Sequence, residues 1–343
     1  MLVDSAERVH LSVAEARALS ERAMRAIGYE PEEARILADH VIDAALCGYE
    51  YSGLPKLLNV ADHPRFRAPR RPMRALKETS ASVLFDGGNQ SGMLAMYYAT
   101  GAVIERAQAH GFALVGVNNI WMSGRSAYYV EMVARAGLIG IHTVAAHPMV
   151  APLGGAKAAL GTNPIAFGFP TEDDPLVIDL GTSAFMGTDL QFRQRLGIPL
   201  PEGVAIDEHG HATTDAVAAR RGAILPFGGH KGYALALAMH ALGVLCSGVA
   251  DKESTGYLFI AFKPDLFVPL EDYRRALAAE IAVIKATPRQ EGVDEIRIPG
   301  ERAYRERARL AREGLGIDRR IHDALIALAE GQRGAFTGAA EER

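Results

Sequence analysis

Alternating strand and helix patterns over residues 81–144 constrain the fold of this chain more than any other feature. Buried apolar runs predict strands over residues 81–85, 112–117 and 138–144, and helical spacing predicts helices over 93–110 and 126–136. A sheet covered by helices satisfies both patterns, because each helix then buries its apolar side against the strands. We therefore expect an α/β fold.

Several other segments are assigned from local composition. Residues 86–92 contain three glycines and predict a turn, whereas residues 176–180 and 257–262 predict strands. Residues 295–301 are strand-like, and the helical spacing after them predicts helices over residues 303–330.

The N-terminal region predicts two amphipathic helices, over residues 13–27 and from Pro31 to about Cys47. Ser12 has a glutamate, Glu15, three residues later, which is the spacing of a capping box. Proline suits the first position of a helix because the N–H that it lacks would have no partner there. Amphipathic helices are typical of a helical layer that packs with its apolar side against another part of the fold.

Composition narrows the classes of function. The chain has 343 residues, of which 49% are hydrophobic, so it can bury a large core. Its net charge of −4 gives no basic field for nucleic acid or for an anionic membrane surface. The longest apolar run, residues 234–245, contains His240 and is too short to span a bilayer. Small-molecule chemistry in the cytoplasm is the expectation, and no residue cluster implies a metal.

The segment from Ile224 to Tyr233 predicts a tight loop that leads into a helix. Its three glycines, Gly228, Gly229 and Gly232, allow positive φ or close backbone approach. The first turn of the helix offers free N–H groups, and His230 and Lys231 add side-chain donors, so an anionic ligand could bind there. An ordinary loop that caps a buried helix explains the same residues equally well.

Five motifs, in chain order, resemble one family. They are Gly161-Thr-Asn-Pro-Ile-Ala166, Ile178-Asp-Leu-Gly-Thr-Ser183, Gly197-Ile-Pro-Leu-Pro-Glu-Gly203, Pro226-Phe-Gly-Gly-His-Lys-Gly-Tyr233 and Ile298-Pro-Gly-Glu301. With them the chain resembles the malate/L-lactate/sulfolactate dehydrogenase family, which also includes ureidoglycolate dehydrogenase, diketogulonate reductase and cyclic ketimine reductases. The resemblance covers nearly the whole chain.

The resemblance implies a non-Rossmann NAD(P)-binding sheet domain and a helical domain built from both chain ends. It places the helical domain at residues 1–75 with 300–343 and the NAD(P)-binding domain at 76–299, with room for a helical insertion around 184–222. It also implies NADPH or NADH as cofactor, a small anionic or polar substrate, and a homodimer. The helical domain would line both the active site and the dimer contact.

The resemblance also assigns cofactor-binding residues. They are Asp179, Leu180, Gly181, Thr182, Ser183, His230, Lys231, Gly232, Pro299, Gly300 and Glu301. Asp179 and Glu301 are acceptors suited to ribose hydroxyls or to a nicotinamide amide, and Thr182 and Ser183 are small donors at an expected helix start. Asp179 has a second interpretation, as a cap of the helix that follows it.

The catalytic positions depart from the family. The usual Asp-Ser-His-Gly stretch reads Glu50-Tyr51-Ser52-Gly53 here, and the arginine that grips a substrate carboxylate is Lys56. A second family histidine corresponds to Met122, and the family segment Asn-Thr-Ser-Pro reads Ala145-Ala146-His147-Pro148. The catalytic candidates are therefore Tyr51, Ser52, Lys56, Met122 and His147. Trp121, beside Met122, either forms an apolar pocket wall or packs in the core.

The loss of histidine matters because reduction of a ketone needs a proton donor and methionine has no proton to give. Three explanations stay open. The substrate is an imine that carries its own proton; or Tyr51, Ser52, Lys56 or His147 donates the proton; or the chain no longer catalyses a redox reaction. The sequence therefore predicts an NAD(P)H-dependent reductase of an imine or of another non-standard substrate resembling a 2-oxo acid. The alternative is a homologue that binds NAD(P) without turnover or performs a non-redox reaction in the same pocket.

Overall fold

A seven-stranded mixed sheet forms the centre of the fold in a computed structural model, which describes residues 7–247 and 255–332. The strands are β1 (Arg8–Leu11), β2 (Arg74–Glu78), β3 (Ser82–Ser91), β4 (Phe112–Trp121), β5 (Ile139–Ala145), β6 (Ile165–Phe169), β7 (Leu176–Leu180), β8 (Ala205–Ile206), β9 (Ala223–Ile224), β10 (Gly256–Phe262) and β11 (Leu315–Asp318). The order across the sheet is β2-β3-β4-β10-β5-β6-β7. Among the described strands of this sheet, β3 and β4 are the one parallel pair. The order and the mostly antiparallel pairing differ from the parallel sheet of a Rossmann domain.

Helices cover this sheet and extend the fold at one side. They are α1 (Val13–Ala26), α2 (Pro31–Leu46), α3 (Pro55–Asp62), α4 (Gly92–His110), α5 (Ser126–Arg135), α6 (Gly187–Leu196), α7 (Ala216–Arg221), α8 (His230–Ser247), α9 (Leu270–Lys285), α10 (Glu301–Glu313) and α11 (Arg319–Ala329). Helices α4, α5 and α8 pack on the strands, as an α/β layer requires. Within the described residues, no helix has the length and apolar character needed to cross a membrane.

The two chain ends meet in one helical layer. Strand β1 pairs antiparallel with β11, and helix α1 packs against α11. A core that includes Leu19, Leu37, Leu57 and Leu325 lies among these helices. The expected layer built from both ends is therefore present. The domain boundaries stay predictions, and residues 1–6 and 333–343 of the helical part lie outside the described range.

Local signals predicted the first helices well. The hydroxyl oxygen of Ser12 accepts the backbone N–H of Glu15 at 3.2 Å, and the Glu15 carboxylate accepts the N–H of Ser12 at 2.8 Å. The predicted capping box is thus confirmed, and Pro31 begins α2 as expected.

Three local predictions were wrong. Residues 86–92 are not a turn, because β3 continues to Ser91, with a bulge between Asp86 and Gln90 that keeps it paired with β4, and Gly92 begins α4. Residues 295–301 form no strand, and they lead through Gly300, at φ 93°, directly into α10. The helical stretch 303–330 is interrupted by β11, since Gly314 at φ 85° ends α10 and lets the next residues pair with β1.

The loop before α8 has the predicted glycine geometry. Gly228 and Gly229 have φ values of 54° and 61°. Residue 232 must be glycine for another reason. A Cβ there would lie 2.2 Å from the carbonyl oxygen of Phe227 and 2.7 Å from that of Thr182. The loop therefore packs directly against the segment that follows β7.

Replacement of Gly232 by alanine tests this close packing. We expect Gly232→Ala to lower the free energy of unfolding by roughly 1–3 kcal/mol, because the new methyl group would push two backbone segments apart. Urea denaturation measures the change. Gly101→Ala is the matched control: Gly101 lies exposed in α4 with open space around it, so alanine should stabilise the protein by roughly 0.5–1 kcal/mol. Equal stability of wild type and Gly232→Ala would contradict the packing argument.

Candidate active site

A cleft of about 640 Å³ contains all five catalytic candidates. It is lined by Tyr51, Ser52 and Lys56 from the α2–α3 region, by residues 122–127 after β4, by His147, by residues 177–181 at the end of β7, and by Pro299 and Gly300 before α10. Its size is that of an ordinary small-molecule pocket. Segments that lie far apart in the sequence thus form one concave surface.

Lys56 is a buried cation on the wall of this cleft. Helix α3 starts at Pro55 and buries Leu57 and Leu58 in the helical core, which holds Lys56 at 3% exposure. Its Nζ donates to the hydroxyl oxygen of Thr188 at 3.2 Å. No carboxylate among the described residues lies within ion-pair distance of Lys56, and burial lowers its pKa to about 8.

The neighbouring arginines differ from Lys56 because they are paired. Arg125 and Arg307 both line the cleft, and both bind the carboxylate of Asp43. Arg307 also forms two hydrogen bonds with Glu131, at 2.8 and 2.7 Å. Their charges are therefore compensated within the protein, whereas the charge of Lys56 is not.

Tyr51 and Ser52 lie in a short 3₁₀ turn, Glu50–Ser52. Burial is the main reason why the pKa of Tyr51 is raised well above 10, and Tyr49, Asp189 and Asp179 add to the effect. The phenol of Tyr51 therefore stays protonated at neutral pH. Ser52 is buried, and no ionisable side chain of residues 7–247 or 255–332 forms a hydrogen bond with its hydroxyl.

Met122 lines the cleft with its backbone in the left-handed region, at φ 56°. Trp121 does not line it. Trp121 is completely buried, and its indole N–H donates to the carbonyl oxygen of Asn89 at 3.1 Å. Of the two interpretations of Trp121, core packing is the one that the structure shows.

Two histidines line the same cleft as Met122. His147 is exposed in the cleft, as a candidate donor should be. His63, which directly follows α3, also lines the cleft, and the sequence analysis missed it. The sequence did contain a signal, since His63 lies seven residues after Lys56 and therefore on the same side of the helix.

A third histidine, His40, is buried behind the cleft wall. Its Nε2 accepts the backbone N–H of Arg125 at 3.0 Å, and burial, with smaller effects of Lys56 and Arg125, holds its pKa well below the usual value. A Cβ on Gly124 would lie 2.1 Å from that same nitrogen. This neutral imidazole thus fixes the backbone of residues 124–125.

Asp179 faces the cleft solvent, although the surrounding walls raise its pKa by desolvation. Its carboxylate accepts the backbone N–H of Ala127 at 2.8 Å, so it caps α5. The expected cap of the following helix was wrong, because α6 begins only at Gly187. For the same reason Thr182 and Ser183 are not at a helix start. Both are buried, and the hydroxyl of Thr182 donates to the carbonyl oxygen of Thr162 at 2.8 Å.

The remaining cofactor candidates divide into two groups. Leu180, Gly181, Pro299 and Gly300 line the cleft together with Asp179. Thr182, Ser183, His230, Lys231, Gly232 and Glu301 do not line it. His230 and Lys231 are exposed at the start of α8, and the carboxylate of Glu301 pairs with Lys285 and accepts the N–H of Ile298 at 3.2 Å.

Comparison with known proteins gives the family. The model of the malate/L-lactate dehydrogenase family matches residues 11–326. The chain belongs to this family. It is 31% identical to the malate/(S)-sulfolactate dehydrogenase of Methanothermus fervidus, over 93% of this chain and 97% of that protein. It is 40% identical to the Delta(1)-pyrroline-2-carboxylate/Delta(1)-piperideine-2-carboxylate reductase of Pseudomonas aeruginosa, over 66% of this chain and 71% of that protein.

A solved structure shows the same fold. The dehydrogenase from Sinorhizobium meliloti superimposes with a TM-score of 0.86 at 30% identity, over 94% of this chain and 98% of that one. Malate/L-lactate dehydrogenase family members are NAD(P)-dependent enzymes that act on 2-hydroxy acids. In this member, the cleft that would serve such chemistry holds a buried lysine that pairs with no carboxylate of the described residues.

Lys56 should lower the stability of the folded protein, because a buried charge that no opposite charge balances is unfavourable. Between its folded pKa, about 8, and its ordinary value, 10.5, the unfolded chain binds more protons, so wild-type stability rises with pH in that window. Below about pH 8 the charged amine lowers the free energy of unfolding by its full effect, about 3 kcal/mol. Lys56→Met should therefore be more stable than wild type at pH 7.

Urea denaturation at pH 7 and at pH 10.5 measures this effect. The advantage of Lys56→Met should shrink as the pH rises, since wild-type Lys56 becomes neutral. Lys56→Arg is the matched control, because it keeps the buried charge and should show no such advantage. A stability gain of Lys56→Met that is equal at both pH values would assign the effect to packing instead of charge.

Proposed function

We propose that this protein is an NAD(P)H-dependent reductase of an imine or of another non-standard substrate that resembles a 2-oxo acid. The observation that carries the proposal is Lys56, a buried cation without a carboxylate partner, on the wall of a cleft in a chain that belongs to an NAD(P)-dependent family. The homodimer with active sites between domains, which the resemblance implies, is part of the same proposal.

The cleft residues fit a dinucleotide. Asp179 presents a carboxylate to the cleft solvent, which suits a ribose hydroxyl or the nicotinamide amide, and Gly181 and Gly300 allow a ligand to approach the backbone. Gly232 packs against Thr182, so the start of α8 lies next to this segment, where exposed Lys231 could pair with a phosphate. A bound NADH or NADPH would supply hydride to the substrate carbon.

Lys56 fits an anionic substrate. Asp43 and Glu131 already balance the charges of Arg125 and Arg307. The charge of Lys56, in contrast, is balanced by no carboxylate of the described residues. A substrate carboxylate beside Lys56 would remove the cost of its buried charge. Because an ammonium is a point charge, this contact would orient the carboxylate less rigidly than an arginine fork does.

The proton requirement separates two kinds of substrate. A protonated imine brings its own proton, so Lys56 and the cleft walls need only bind and orient it. A 2-oxo acid needs a donor, and Lys56 with a pKa of about 8 is tuned for general acid catalysis near neutral pH. Tyr51 is protonated as well, but its raised pKa makes it a weaker acid than Lys56. The 40% identity to a reductase named for two cyclic imine carboxylates favours the imine.

Single-turnover hydride transfer tests the proposed function. The purified protein is mixed with NADPH or NADH, and nicotinamide absorbance is followed with pyruvate, with pyruvate plus methylamine, and with Δ1-piperideine-2-carboxylate. We expect oxidation of the cofactor with the cyclic imine and with the amine mixture. Oxidation with pyruvate alone would extend the substrates to 2-oxo acids.

The same experiment can overturn the proposal. Tight cofactor binding without oxidation by any of these compounds would favour the alternative, a homologue that binds NAD(P) without turnover or uses the pocket for a non-redox reaction. Absence of NADH and NADPH binding would exclude the reductase for both substrate classes, imines and 2-oxo acids.

The pH dependence tests the role of Lys56 separately. With a 2-oxo acid, kcat/KM should be constant below about pH 8 and fall about tenfold per pH unit above it, because only the protonated amine donates. Lys56→Arg should abolish this inflection and lower kcat with the 2-oxo acid about 100-fold, since arginine stays protonated. The same variant should lose little kcat with the cyclic imine, which needs no donor. Equal losses with both substrates would assign Lys56 to binding alone.

A further inference from the structure

His63 is a polar group on the wall of the cleft to which no role has yet been assigned. It follows the last residue of α3, about 10 Å along the helix axis from Lys56, and both side chains line the cleft. Met122, the position at which the family resemblance implies a histidine, lines the same cleft. The chain therefore has an imidazole, supplied by another segment, in the same cleft as the position where the resemblance implies a histidine.

The hydrogen bonds of His63 assign its proton to one nitrogen. Its Nδ1 accepts the backbone N–H of Arg65 at 3.2 Å, so a neutral ring carries its proton on Nε2. Within residues 7–247 and 255–332, no group forms a hydrogen bond with Nε2. Burial, with smaller effects of Arg65 and His147, lowers the pKa of His63 to about 4, and the ring is neutral at pH 7.

The ring is also held in one orientation. It stacks on Trp121 with centroids 4.3 Å apart and planes 13° apart. Trp121 is itself fixed, because it is completely buried and donates to Asn89. A donor with a fixed plane and a fixed tautomer is preorganised, and such donors stabilise developing charge without the cost of reorientation.

We propose that His63 is a catalytic hydrogen-bond donor, whose Nε2–H binds the oxygen of a 2-oxo substrate while that oxygen gains negative charge. This inference rests on the proposed function and adds to it a determinant of specificity. As hydride adds to the carbon, the electrons of the C=O π bond move to oxygen, Lys56 transfers a proton to that oxygen, and the neutral amine regains a proton from solvent. His63 keeps its own proton throughout.

The donor discriminates between the two substrate classes. A ketone oxygen has lone pairs for the Nε2–H of His63. The nitrogen of a protonated imine has none, so His63 cannot bond to it. Removal of the donor should therefore impair reduction of 2-oxo acids and spare reduction of imines.

His63→Phe removes the donor and keeps the stacked ring. We expect kcat with pyruvate to fall 100- to 1000-fold, the range for loss of one such donor, and kcat with Δ1-piperideine-2-carboxylate to change less than threefold. His63→Gln retains an N–H and should restore part of the pyruvate activity. Circular dichroism and thermal unfolding of each variant show that the fold is intact.

Ligand binding gives a measurement that does not need turnover. Oxamate, in the presence of NADPH, offers a carbonyl oxygen where pyruvate does, whereas pyrrole-2-carboxylate offers a ring N–H. By calorimetry, His63→Phe should weaken oxamate about tenfold and leave pyrrole-2-carboxylate unchanged. Equal weakening of both ligands, no weakening, or a loss that follows His147→Ala instead would overturn the proposal.

The outcomes separate this proposal from the proposed function. If wild type reduces pyruvate and His63→Phe is indistinguishable from it, the reductase stands and His63 has no such role. If wild type reduces none of the compounds but His63→Phe selectively loses oxamate, His63 is a ligand-binding residue and the reductase falls. A wild type that neither binds oxamate nor reduces any compound overturns both.

Discussion

The antiparallel pairing of β1 with β11 is the interaction on which the arrangement of the cleft depends. It joins residues 8–11 to 315–318, so the first helices and the last ones share one core. Helix α3 is anchored in that core through Leu57 and Leu58, and α3 carries Lys56. The opposite wall belongs to the sheet, at the ends of β4 and β7. A cleft with two independently supported walls can hold its polar groups at fixed separations.

Charge inside the cleft is distributed unevenly. Arg125, Arg307, Asp43 and Glu131 form an ion-pair network in which each arginine contacts a carboxylate, and Glu131 extends it to Arg135 and Asp174. Such a network stabilises the wall and contributes little net field. Lys56 lies outside it, and its one hydrogen-bond partner within the described part of the chain is the hydroxyl of Thr188. The uncompensated positive charge of the cleft is therefore concentrated at the amine of Lys56, and an anionic ligand would bind there.

Much of the fold could be predicted from the sequence, because local rules decide it. The capping box of Ser12 and Glu15 and the buried runs of β4, β5 and β10 depend on residues close in the chain. Strand β11 could not be predicted, since four residues form a strand only if β1, some 300 residues earlier, lies beside them. Strand β3 was misjudged because its glycines serve a bulge, which only the pairing with β4 reveals.

The site was predicted in part for the same reason. Family motifs led to Lys56, Met122 and His147, which the fold brings to one cleft. Neither His63 nor His40 belongs to a motif, and their orientations depend on contacts across the fold, with Trp121 and with Arg125. The function of a histidine depends on its environment in the fold. The sequence alone does not distinguish a buried imidazole from one that lines a cleft.

The contact between His40 and Gly124 limits how this cleft can change during evolution. Any side chain at residue 124 would collide with the imidazole, whose nitrogen also holds the backbone N–H of Arg125. His40 therefore fixes the backbone conformation of this wall, and substitutions in the surrounding sequence cannot easily change it. New substrates must be accommodated by exchanging individual side chains, such as those at 52, 122 and 147, on a backbone that stays in place.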